Sequence, residues 1–171
     1  EGWLVSPKSA EELSEARVFV SQDGQAMIAL DGPDMNNITG LCNAPEGEIR
    51  AVAHSLVRVA IEEGGRKGEA LDGLVPVMFS AHGAVPVQRV DFNPELAPKG
   101  MPKADRAAAP DMVHFVIQPD ADLVYTPSRD GKIGARAKSY DDAVRITDNE
   151  VVRQERRVME SKGVLLYQRS N

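Results

Sequence analysis

The sequence predicts an α/β domain built around a single core. Three observations predict it: short apolar strands set off by Gly, Asp and Asn turns, one strongly amphipathic helix in the first half, and an alternation of strands with helices from residue 38 onward. At 171 residues the chain is long enough for one sizeable core and short for two.

The elements follow in order. Ser9 and Glu12 have capping-box spacing, which predicts a short helix over 9–16. Residues 17–20 and 25–30 read as a β-hairpin turned at Asp23-Gly24. A turn-rich loop over 31–37 leads to a short buried strand at 38–42, and Asn43-Ala-Pro-Glu-Gly-Glu48 breaks that strand and opens a helix. Ile49, Val52, Ala53, Leu56 and Ala60 give this helix one apolar face, with Arg50, His54, Arg58 and Glu62 turned away, and Gly64-Gly65 ends it. A strand at 68–72 and a short helix at 74–81 follow, with Pro76 in the helix's first turn, where no N–H is needed. Residues 84–92 alternate as a strand, in which Pro86 marks an edge or a bulge. The proline-rich stretch 93–110 reads as a loop and 111–117 as a strand. Beyond a loop punctuated by Pro127, Gly131 and Gly134, Ser139 with Asp142 caps a charged helix to about Lys162, and 164–167 reads as a final strand.

Composition narrows the function classes. The net charge of −6 disfavours a nucleic-acid surface, which needs Lys and Arg against phosphate. No apolar run reaches the roughly 20 residues that span a bilayer, and the chain opens without a basic-then-apolar leader, so a soluble, cytoplasmic protein is expected. Cys42, the single cysteine, has no partner for an intramolecular disulfide. The start at Glu1 rather than Met fits a processed product or a piece of a longer protein. His, Cys and carboxylate spacings give no metal-ligand pattern, and the P-loop, dinucleotide-binding and serine-hydrolase signatures are absent.

Three stretches carry a resemblance. Leu71–Val90 places an aromatic, Phe79, shortly before a glycine, Gly83, that opens a strand. It continues into Phe92-Asn-Pro-Glu-Leu-Ala-Pro-Lys-Gly100 and then into Pro110-Asp-Met-Val-His-Phe-Val116. Together, over 17–118, these resemble the GNAT superfamily of N-acetyltransferases, in a branch met in phage and mobile-element proteins. The resemblance implies a mixed, mostly antiparallel central sheet flanked by helices. It assigns 1–118 to the acyltransferase domain and 119–171 to a C-terminal helical extension.

It also implies a site for acetyl-CoA or another acyl-CoA, held in a V-shaped slot between two splayed strands. Leu41, Cys42 and Asn43 would face the pantetheine arm and acyl end. Gly47, Glu48, Ile49 and Arg50 would form the pyrophosphate turn at a helix N-terminus, whose free N–H groups and dipole favour anions. Asp72 stands where the family has an asparagine on the pantetheine arm, and Phe79 where it has the tyrosine that protonates the departing thiolate. The chain departs from the pattern in that Glu46 and Glu48 bring carboxylates to the pyrophosphate turn, Ile49 replaces a small residue, and Phe79 lacks the phenol. Ala84 and Met101 also replace aromatics.

For catalysis, Glu46 and His82 are the candidates, as base and as substitute acid; an N-terminal helix carboxylate and a helix-end histidine are the plainer readings. Cys42 reads as a buried strand residue, His54 as solvated and His114 as a surface or satisfied core residue. Two functions follow. One is N-acetyl transfer to a small-molecule or protein amine. The other is a catalytically inactive module of a larger, phage-encoded protein, set in the host cytoplasm or virion, that docks a partner or a second copy through the 139–162 helix, whose Val144, Ile146, Val151, Val152, Val158 and Met159 need a cover.

Overall fold

A tight turn starts the sheet: Ser21 and Asp23 bond to each other and to the backbone of Gln25 and Ala26, and Gly24 takes the positive φ the reversal needs. The computed structural model describes residues 9–43, 49–97, 100–127 and 134–163. The elements in chain order are α1 (Ala10–Ser14), β1 (Arg17–Val20), β2 (Ala26–Asp31), β3 (Asn37–Asn43), α2 (Ile49–Glu62), β4 (Lys67–Leu71), α3 (Leu74–Ser80), β5 (Ala84–Val90), α4 (Lys103–Ala108), β6 (Met112–Ile117), β7 (Ala135–Arg136) and α5 (Tyr140–Ser161).

The strands form one sheet in the order β1-β2-β3-β4-β6-β5-β7. The pairs β3–β4 and β5–β7 are parallel and the others antiparallel. This is the mixed, mostly antiparallel sheet flanked by helices that was expected, with a C-terminal helix packed on it. The register carries Ile38, Gly68 and Phe115 onto one face. There Leu56, Val57 and Ala60 of α2 and Phe79 of α3 close over Ile28, Leu30 and Phe115 to make the core. The expected apolar face of α2 is the buried one, with Val57 added to it.

The opposite face, with Glu69 and His114 paired across β4 and β6, lies under α5. Ser139 caps that helix by accepting from the Asp142 N–H. Ala143, Thr147 and Val151, four residues apart, are its buried side chains. The sheet thus supplies a cover for the first half of the helix, while Val152, Val158 and Met159 stay exposed.

Two elements were not expected. α4 lies inside the proline-rich 93–110 stretch, where six residues are too few to show a period, and β7 is a two-residue strand beside β5. Pro86 sits at a bulge, where the β5–β6 register shifts between Pro86 and Gln88. The final strand read at 164–167 lies outside the described residues.

Candidate functional site: the split between β3 and β4

β3 and β4 run parallel, and among the described residues they pair at Asn37↔Lys67 and Ile38↔Gly68. Beyond these pairs β3 bends away. Its register against β2 jumps from Ala29↔Thr39 to Met27↔Cys42, so Gly40 and Leu41 together oppose Ile28. At this bulge Gly40 takes a positive φ of 64°, which a glycine adopts without strain. The pairing below the split is equally specified: a Cβ on Gly68 would stand 2.7 Å from the Phe115 ring and 3.0 Å from the Ile38 carbonyl oxygen. Both glycines are therefore part of the geometry that opens the sheet.

The opening is a cleft of about 810 Å³. One wall is Thr39, Gly40 and Leu41 of β3; the other is Glu69, Ala70 and Leu71 of β4. Val75 and Phe79, one turn apart on α3, reach it from the core side, and Tyr140, Met112 and the segment from Asp91 to Ala97 border it elsewhere. Glu69 and Thr39 are the first residues past the last pair, so they stand at the apex of the V.

Glu69 is the most elaborately held carboxylate at the cleft. The Tyr140 hydroxyl donates to it, 2.7 Å from Oε1 and 2.8 Å from Oε2, and His114 Nδ1 lies 3.4 Å from Oε2. Burial, then the bond to Glu69 and the negative field of Glu69, Asp141 and Asp31, push the Tyr140 phenol up, so it stays a donor. His114 is 3% exposed and its Nε2 has no hydrogen-bond partner among the described residues. Burial, with the nearby Lys67 charge, lowers its pKa to about 4, which keeps the ring neutral at pH 7. Lys67 itself pairs with Asp148 of α5.

A second polar cluster lies behind the cleft. Arg89, 1% exposed, donates to Asp111 Oδ2 from both Nε (3.2 Å) and Nη2 (2.7 Å), and Nη2 lies 3.6 Å from Asp72. The buried Tyr125 hydroxyl donates to Asp72 at 2.6 Å. Two carboxylates, a guanidinium and a phenol thus satisfy one another, as buried charges must.

The expected site residues fall in several places. Leu41 and Phe79 line the cleft. Phe79 is 3% exposed with its ring 4.9 Å from that of Phe115, so it fills core as well as wall. Cys42 pairs with Met27 and is half-buried; burial pushes its thiol up, which disfavours a thiolate. Asp72 is engaged by Tyr125 and Arg89 and is not among the cleft's walls. Glu46, Gly47 and Glu48, and the side chains of Asn43, Ile49 and Arg50, lie outside the described residues. His82 sits in the turn after α3 and bonds to His54: the His54 Nδ1 to His82 Nε2 distance is 2.8 Å. His54 is therefore not simply solvated. It clasps α2 to the end of α3, because His82 stands two residues past α3 and His54 is about a turn and a half into α2. Burial, then the neighbouring His54 and Arg58 charges, lower the His82 pKa.

Glu69, Tyr140, His114, Arg89 and Tyr125 were not singled out as a site. A charged residue in the interior of a strand, as Glu69 and Arg89 are, was the available signal. Among the described residues no group of three or more His, Cys, Asp or Glu side chains could hold a metal ion. No described helix is long and apolar enough to cross a membrane.

No family model matches the chain, and no curated protein matches it in sequence. Among solved structures, N-acetylglutamate synthase from Neisseria gonorrhoeae, complexed with coenzyme A and N-acetyl-glutamate, is similar over 67% of this chain, with 15% identity and a TM-score of 0.38. The chain spans 29% of the length of that enzyme.

Proposed function

We infer that the protein is an acyl-CoA-dependent N-acyltransferase, with the acyl thioester at the split between β3 and β4. The observation that carries this reading is the split itself. Two parallel strands part after two registered pairs, a bulge bends one of them, and a hydrogen-bonded glutamate stands at the apex. An extended pantetheine arm matches the exposed edge of a parted strand, in the way a peptide adds to a sheet edge. α2 starts directly after this strand and the five residues that join them, so its N-terminal N–H groups suit the pyrophosphate. Leu41 and Phe79 belong to the arm's surroundings, and Cys42, Asn43, Gly47, Glu48, Ile49, Arg50 and Asp72 remain assigned to the cofactor by the resemblance alone.

The reaction is direct. A neutral amine attacks the thioester carbonyl, the C–N bond forms and the C–S bond breaks. The nitrogen's proton passes to the Glu69 carboxylate. The thiolate takes its proton from water, since Phe79 offers no hydroxyl. In this reading Glu69 takes the place proposed for His82, because it lines the cleft and His82 is bound to His54, while Glu46 lies outside the described residues.

A second reading, a scaffold of this fold without chemistry, is favoured by one observation: Phe79 packs on Phe115 where an acid would be needed. Thiol release from acetyl-CoA, measured against a panel of amino acids, diamines and lysine peptides, decides between them. Amine-dependent release that falls at least tenfold in Glu69→Gln supports the transferase; no release with any amine leaves the scaffold.

A further inference from the structure

His114 is an expensive residue for its place. Its ring is 3% exposed in the middle of β6, and Nε2 is buried with no hydrogen-bond partner among the described residues. A buried polar atom left unpaired costs stability that an apolar side chain of similar size would not. The other ring nitrogen explains the choice. Nδ1 lies 3.4 Å from Glu69 Oε2, and β4–β6 pairing sets the two residues directly opposite each other. Only the tautomer with hydrogen on Nδ1 fits, because the other would set two acceptors face to face and bury an unpaired donor as well.

Tyr140 approaches the same carboxylate from α5. Its hydroxyl is within 2.8 Å of both oxygens, and its ring stands edge-on to that of His114, with centroids 5.3 Å apart. Ser139, the cap of α5, fixes where that first helical residue sits. The carboxylate is thereby gripped from the sheet and from the helix, and 34% of the side chain is left exposed at the cleft.

We propose that His114 and Tyr140 are positioning residues for Glu69, two donors that fix its carboxylate at the apex of the split so that it can take the proton of an acceptor amine. This rests on the acyltransferase reading above. Neither residue touches the acceptor through this role; each acts through Glu69. Donors to the ionised carboxylate favour that form, so removing them makes the carboxylate hold its proton to higher pH.

The test is a cycle of kcat measurements with acetyl-CoA and the most active amine of the panel, in wild type, His114→Phe, Tyr140→Phe, Glu69→Gln and the two double variants. Expected are losses of roughly 10- to 100-fold in kcat for each single variant. The KM for acetyl-CoA should stay within about threefold. The acid limb of the kcat profile should move to higher pH in His114→Phe and Tyr140→Phe. In the Glu69→Gln background each of the two changes should alter kcat by less than about twofold, because the group they act through is gone.

His114→Gln, which keeps a donor, should recover much of the loss and guards against a variant that merely folds poorly. Equal losses with and without Glu69 would overturn the positioning role while leaving the transferase in place. A wild type without amine-dependent thiol release would overturn the transferase and the positioning role with it. The ring tautomer, read from imidazole ¹⁵N shifts in the free protein, is independent of any activity: hydrogen on Nε2 would overturn the proposal outright.

Discussion

Replacing Arg89 with methionine removes a guanidinium that two largely buried carboxylates share. Arg89 is among the largest fully buried side chains of the described core, and methionine matches its stem without its charge. The loss falls unevenly on its partners. Asp111 gives up bonds of 2.7 and 3.2 Å and keeps Arg136, whose Nη2 is 3.5 Å away but half-exposed. Asp72, 7% exposed, gives up a charge at 3.6 Å and keeps the Tyr125 hydroxyl. Breaking a buried pair by removing one partner costs about 3–5 kcal/mol. The surviving donors place this variant near the low end, at about 3 kcal/mol. For a chain of this size that is a drop of roughly 6–12 °C in Tm. Urea denaturation followed by far-UV circular dichroism measures it, and adding Asp72→Asn and Asp111→Asn to the variant should recover part of the loss, since no uncompensated charge then remains. A loss below about 1 kcal/mol in Arg89→Met would refute the idea that this cluster is charged and mutually dependent.

Because the His114 pKa is lowered from 6.5 to about 4 in the folded chain, the unfolded chain binds the proton first as pH falls. Wild type should therefore lose up to about 3 kcal/mol relative to His114→Phe between pH 6.5 and about 4, seen as a wild-type urea midpoint that falls relative to the variant's on acidification; midpoints that stay parallel would contradict it. Gly68→Ala should cost about 1–3 kcal/mol, because the new methyl meets the Phe115 ring and the Ile38 carbonyl; a neutral result by thermal melting would mean the β3–β4 junction is looser than described. Ser139→Ala should cost about 1 kcal/mol through its lost cap and, by loosening Tyr140, should lower any acyl transfer; unchanged turnover would separate the cap from the site.

The elements with a strong local signal were legible in the sequence. The capping box at Ser9, the Ser139 cap, the Asp23-Gly24 turn and the apolar face of α2 fall where the local sequence signals place them. α4 and β7 were not, because six residues show no period and a two-residue strand exists only through its pairing with β5. The site divides along the same line. Leu41 and Phe79 could be placed at the cleft because a continuous motif carries them. Glu69, His114 and Tyr140 come from β4, β6 and α5, 71 residues apart at the extremes, and meet only through the β4–β6 register and the docking of α5. His54 looked solvated because its helix position is polar; only the turn after α3 brings His82 to it.

The central claim is that the split between β3 and β4 takes the arm of an acyl-CoA, and hydrogen exchange with and without acetyl-CoA tests it most directly. Binding at the parted edge should slow exchange of the backbone N–H groups of residues 39–42, beside a calorimetric Kd in the micromolar range, while β1 and the exposed end of α5 stay unchanged. No heat at millimolar acetyl-CoA, or binding that protects residues remote from the split and leaves 39–42 untouched, would contradict it.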